Sequence, residues 1–181
     1  MIKTICAAGL FAISIAQAQI IRTEESRPTT PREDAKPNTD TVPDVYALNG
    51  AFERIVVLRF KYRADLLKGL ESAAKEQNIR NAVILSGIGS VRNYSIHAAA
   101  NRTFPSKDVF LKDTTAPADI AGMNGYIING RVHAHITLAN ETGAFGGHLE
   151  PETNVFTFAI VTIGVFKDGI DLSKVDDKTY R

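Results

Sequence analysis

Between residues 120 and 166 the chain runs through β-branched and apolar side chains, interrupted only at Asn129-Gly130, at 140–143 and at 150–153. Gaps this short leave no room for crossover helices, so successive strands must return antiparallel. The four runs are 120–128, 132–139, 144–149 and 155–166. Upstream, 55–60 (IVVLRF), 82–85 and 91–98 read as further strands, the last two separated by a Ser86-Gly87-Ile88-Gly89-Ser90 turn. Only residues 64–78 change period: Leu66, Leu67, Leu70, Ala73 and Ala74 share one helical face, opposite Lys68, Glu71, Lys75 and Glu76. Asp65 stands near the start of this helix, and Asn78 suits a left-handed stop. The polar stretch 101–118 has one apolar interruption, 109–111, that reads as an edge strand. One helix and about seven strands predict an α+β domain built on a mostly antiparallel sheet.

The segments outside this domain are of a different character. A basic start, an apolar run of about a dozen residues and Ala16-Gln17-Ala18 before Gln19 describe a signal peptide over residues 1–18. The expected location is periplasmic or secreted. Residues 19–45 carry four prolines and almost no large apolar side chain, and read as a disordered linker. The domain then occupies 46–167, and the charged stretch 168–181 reads as a flexible tail. Cleavage removes the single cysteine, Cys6, and leaves 20 basic against 20 acidic groups. Disulfides and thiol catalysis are excluded, and the balanced charge gives no electrostatic footprint for a polyanion.

Histidine is then the main residue type left for metal or proton chemistry, and three of the four histidines fall within sixteen residues. His133 and His135, two apart on a predicted strand, project from one face. The chain turns at 140–143 and returns as Ala144-Phe145-Gly146-Gly147-His148, so an antiparallel hairpin brings His148 beside the pair. Three imidazoles converging on one ion make a zinc-type site with an open fourth position. Gly146 and Gly147 leave space beside the returning strand, which suits a ligand or a partner chain. The bland alternative is chance clustering of surface histidines.

Glu150, two beyond His148, shares its face if the strand persists; it is either a ligand or general base, or an exposed strand-end carboxylate before Pro151. Arg92 is either an anion contact or a surface or interface arginine. His97 faces the site, the core or an interface.

The order LRFKYRADLLKGLESAAKEQNIRNAVILSGIGSVRN, then RVHAHITLANETGAFGGHLEPE, resembles the plants-and-prokaryotes-conserved (PPC) domain over about residues 55–165. The resemblance implies an α+β subunit assembled as a homotrimer. Plant members of that family carry AT-hooks and prokaryotic ones are often labelled as DNA-binding, but this chain has no AT-hook and no basic excess. The hairpin is also similar to that of acetolactate decarboxylase, a zinc lyase, which supports His133, His135 and His148 as zinc or other divalent transition-metal ligands. Here the spacing H-x-H-x12-H is longer by two, so the decarboxylase activity is not carried over. The expectation is an exported PPC-domain metal protein, with a metal-dependent lyase or hydrolase activity on a small molecule assisted by Glu150 and Arg92. The alternatives are a non-enzymatic module binding a small ligand or protein, and a DNA-binding protein.

Overall fold

A computed structural model describes residues 22–28, 39–178 and 180–181. The signal peptide expected at 1–18 lies outside them. The described elements are β1 (Arg22–Pro28), β2 (Phe52–Phe60), α1 (Leu66–Glu76), β3 (Ala82–Ala99), β4 (Lys107–Asp113), β5 (Ala118–Ile128), β6 (Arg131–Asn140), β7 (Gly143–Leu149) and β8 (Asn154–Phe166). This is the expected α+β architecture, with eight strands and one helix. No helix among the described residues is long and apolar enough to cross a membrane.

All strand pairings are antiparallel, and the sheet is organised around β3. Its first half pairs with β5 and β8, and its second half with β4 and β7. The chain from β5 through β6 to β7 therefore closes back onto the strand it started beside, a small ring held by Ile96 opposite Leu149 and His97 opposite His148. β2 lies outside β8, and β1 outside β4.

The glycine-bearing turn expected at 86–90 is not a turn: β3 runs through it as one strand of 18 residues. The glycines serve close approach instead. Gly89 has φ +140°, and a Cβ there would stand 2.3 Å from the Phe158 carbonyl oxygen of β8. Register shifts at Ile84/Ser86 and Gly89/Val91 mark the bulges through which β3 changes neighbours.

Helix α1 forms where the period predicts. Asp65 caps it, its carboxylate accepting from the Lys68 amide at 3.1 Å, and Asn78 takes φ +52° just past the end. Leu66, Leu67, Leu70 and Ala74 are buried and join one core with Ile84, Ile127, Ile136, Leu138 and Ile163.

Two segments outside 46–167 make contacts with the domain. Residues 22–28, within the stretch read as linker, form β1 and pair residue by residue with β4. That strand buries no apolar row: residues 23–27 are exposed, and the backbone ladder supplies the contact, with the Arg27 guanidinium 4.0 Å from the Phe110 ring centroid. A segment held by its main chain leaves no hydrophobic period to read. In the tail, Leu172 is buried and Asn81 donates to the Ile170 carbonyl at 3.2 Å, so the segment lies against the domain.

Candidate metal centre

Along β6, Val132, Ala134, Ile136 and Leu138 point into the core, and the alternation sends His133 and His135 to the other face. Strand register then completes a row. His135 lies opposite His148 on β7, and His148 lies opposite His97 on β3, so three adjacent strands each contribute one imidazole. Ring centroids are 4.7 Å apart for His133–His148, 5.4 Å for His135–His148 and 5.5 Å for His133–His135. A tetrahedral ion about 2.1 Å from one nitrogen of each ring places centroids roughly 5 Å apart. The row lines a solvent-open cleft of about 760 Å³, whose walls include Asp108, Arg131 and Asp176.

The outer nitrogens of two of these rings are occupied. His133 Nδ1 stands 2.8 Å from Asp176 Oδ1, and His148 Nδ1 stands 3.0 Å from the Leu149 carbonyl oxygen. Nδ1–H donating to each acceptor fixes the tautomer that leaves Nε2 with its lone pair, the arrangement that metal-ligating histidines adopt. Burial pushes the His148 imidazole down to about 4, the neighbouring His97 and His133 add to this, and Glu150 and the Leu149 carbonyl oppose it. The His135 value is lowered by the same causes, burial first, then His133 and His97. Both rings are therefore neutral near pH 7, which is the form that binds a cation.

His97 is held differently. Its Nδ1 is 2.6 Å from Glu150 Oε1 and its Nε2 is 3.4 Å from Asp108 Oδ2, while its ring stacks on His148 at 4.4 Å. His97, His148 and Glu150 present donor atoms all within 4.8 Å of one another. The His97–Glu150 contact, however, is a hydrogen bond and is shorter than the roughly 3.3 Å between two ligand atoms on one tetrahedral ion. Among the described residues, the donor atoms that meet within 4.8 Å are those of His97, His148 and Glu150, a candidate metal site, and the rings of His133 and His135 stand beside His148.

Glu150 owes its place to the turn after β7. The Glu150 amide donates to the Ser95 carbonyl at 3.0 Å, and the Thr153 hydroxyl accepts from the Ser95 amide at 3.0 Å. The turn is thus laced to β3 two residues before His97.

The structure brings together His133, His135, His148 and Glu150 of the residues singled out in the sequence. Arg92 is elsewhere: its guanidinium donates to the Tyr62 hydroxyl at 2.9 Å and does not line the cleft. Gly146 and Gly147 do not leave space for a ligand. A Cβ at Gly146 would stand 2.3 Å from the Ile136 carbonyl oxygen, and one at Gly147 would stand 2.3 Å from that of His97. The neighbouring backbones of β6 and β3 fill that room. Asp108 and Asp176 have no signal in the sequence, since neither lies near a histidine along the chain; Asp176 is 43 residues from His133.

Among the described residues, an antiparallel sheet with one helix and a cleft lined by all four histidines, from β3, β6 and β7, defines a small α+β protein. The family model of the Plants and Prokaryotes Conserved (PCC, also written PPC) domain matches residues 47–167, and the chain belongs to that family.

Among solved structures, it is similar to a PPC protein from Pyrococcus horikoshii, at 23% identity and TM-score 0.57, covering 70% of this chain and 87% of that one. It is also similar to a protein from Archaeoglobus fulgidus described as metal-containing, at 22% identity and TM-score 0.57, covering 68% and 86%. A curated relative, the bifunctional protein GlmU of a Synechococcus strain, is 27% identical over 111 residues. The match spans 61% of this chain but only 17% of GlmU, so the chain spans about a sixth of that relative's length.

Proposed function

We propose that this chain is a metal-binding member of the PCC domain family that holds a divalent transition metal, zinc by ligand type, on His133, His135 and His148. The observation that carries the reading is the pair of occupied outer nitrogens, Nδ1 of His133 on Asp176 and Nδ1 of His148 on the Leu149 carbonyl. Both leave Nε2 for a cation, and His135 lies in register beside them. The description of the Archaeoglobus fulgidus protein as metal-containing supports the reading. The formal net charge of +1 gives DNA binding no support.

Three protein ligands leave a coordination position open toward the cleft, the mark of catalytic rather than structural sites. When bound, such an ion polarises a carbonyl or lowers the pKa of water. The chain's own residues would do the rest. His97 lines the cleft with Glu150 hydrogen-bonded to its Nδ1, and the pair would pass a proton to or from a small oxygen-bearing molecule, as a lyase or hydrolase requires. The test is equilibrium zinc binding to the untagged chain, by elemental analysis and thermal shift. One zinc per chain and a rise in Tm of several degrees at about 100-fold excess over Kd are expected. A chain that retains no zinc and shows no shift would sink the proposal.

We also propose that the outer face of β2, β8 and β3 is the surface on which this chain self-associates, as the family resemblance to a homotrimer suggests. Ile55 is 53% and Val57 64% exposed on β2, beside exposed Ile88, Phe156 and Phe158. A patch of that kind marks an interface. Light scattering on the eluting chain should give three times the monomer mass, reduced by Val57→Asp; a monomeric wild type would rule this out.

A further inference from the structure

The family domain ends at residue 167, yet Asp176, Asp177, Lys178 and Arg181 wall part of the cleft. We propose that Asp176, carried by this C-terminal segment, is a positioning residue for the metal centre: it holds the His133 ring through Nδ1 so that Nε2 faces the cleft. The inference rests on the metal reading above and adds a residue from outside the family domain to the site.

The contact is built from both sides. Asp176 Oδ1 lies 2.8 Å from His133 Nδ1, and Oδ2 lies 2.5 Å from an Arg131 Nη. Arg131 and His133 are two apart on β6 and share a face, so one carboxylate spans both and cannot rotate away from the imidazole without giving up the guanidinium. The Asp176 side chain is only 15% exposed, against 67% for Arg131, so solvent competes little for it.

The segment carrying Asp176 is anchored before and after it. Upstream, Leu172 is 4% exposed, and the Val175 amide closes a turn on the Leu172 carbonyl at 3.0 Å. Downstream, the Arg181 guanidinium sits 4.0 Å from the Phe104 ring centroid, and the Thr39 amide donates to the Arg181 carbonyl at 3.0 Å. A carboxylate on a segment tied at both ends is presented at a set distance rather than reaching from a loose tail. A carboxylate that holds a ligand's outer nitrogen orients the ring and raises its basicity, and losing one weakens metal binding about 10–100-fold.

The experiment uses the full chain and zinc itself as probe. Zinc affinity by chelator competition is measured for wild type, Asp176→Ala and Asp176→Asn, alongside imidazole ¹⁵N spectra of the metal-free proteins. Asp176→Ala is expected to lose about 10–100-fold in affinity and the Nδ1–H signature of His133. Asp176→Asn, which keeps an acceptor, is expected to recover part of both. Affinity unchanged within about threefold in the alanine variant, or an unaltered His133 spectrum, overturns the proposal. The two readings fail separately: a wild type that binds no zinc sinks the metal reading, while the metal-free spectrum still decides whether Asp176 holds His133.

Discussion

Replacing His148 with alanine is expected to abolish stoichiometric zinc binding and erase the zinc-induced rise in Tm, while leaving a folded chain. His148 is the ring every other member of the cluster meets: it faces His135 and His97 in register and lies 4.7 Å from His133. Under the proposed ligation, removing it takes one of three ligands and separates the remaining pair from the hydrogen-bonded Glu150–His97 pair. The expected loss is about a thousandfold in affinity or more, about 4 kcal/mol. His97→Ala serves as the contrast and should keep the metal, since both of its nitrogens face carboxylates. If the two variants bind zinc equally well, the ligand assignment is wrong.

His148 also carries a pH signature in the metal-free chain. Its imidazole is pushed down to about 4 from an ordinary value near 6.5. Between those pH values the unfolded chain binds a proton that the folded one refuses, so folding stability declines as pH drops across that window. Relative to His148→Gln, which lacks the group, the wild type should lose Tm progressively from about pH 6.5 down to about pH 4. Parallel Tm curves for the two proteins would show that the ring is not buried as described.

Gly147→Ala is expected to cost about 3 kcal/mol or more in stability, read from the midpoint of urea unfolding. The added Cβ would meet the His97 carbonyl oxygen at 2.3 Å and its carbon at 3.1 Å. Both are backbone atoms of a strand paired on its other edge with β4, so there is no flexible side chain to give way. Relief requires β7 to leave β3, which opens the ring and carries His148 away from His97. The variant should therefore lose zinc affinity as well as stability. Gly122→Ala is the matched control: nothing lies within 4 Å of its Cβ position. A Gly147→Ala protein as stable as the Gly122→Ala protein would mean that β7 and β3 do not approach this closely.

The parts legible in the sequence are those that depend on local periodicity. The helix, the β5–β6 and β6–β7 turns and the shared face of His133 and His135 all follow from spacings of two or about 3.6 residues. The position of His148 follows from a hairpin short enough to permit only one way back. Gly87 and Gly89 show the limit of local reasoning: they read as a turn because a glycine's freedom is visible in sequence, whereas the neighbour that demands it is not. β1 gave no signal because a main-chain ladder holds it. Arg92, placed beside that supposed turn, proved to serve Tyr62 instead.

By itself, the sequence determined the α+β class, the antiparallel hairpins and three histidines set to share one surface. Only the tertiary structure decided that His97, Glu150, Asp108 and Asp176 join them. His97 arrives because β7 closes onto β3, a pairing of residues 51 apart that no local pattern encodes. Asp176 arrives because a buried leucine and an arginine on an aromatic ring bracket the last segment. Periodicity acts within an element and can be read from neighbours in the chain. Closure of the ring and docking of the tail depend on the shape of surfaces that exist only once the core has packed.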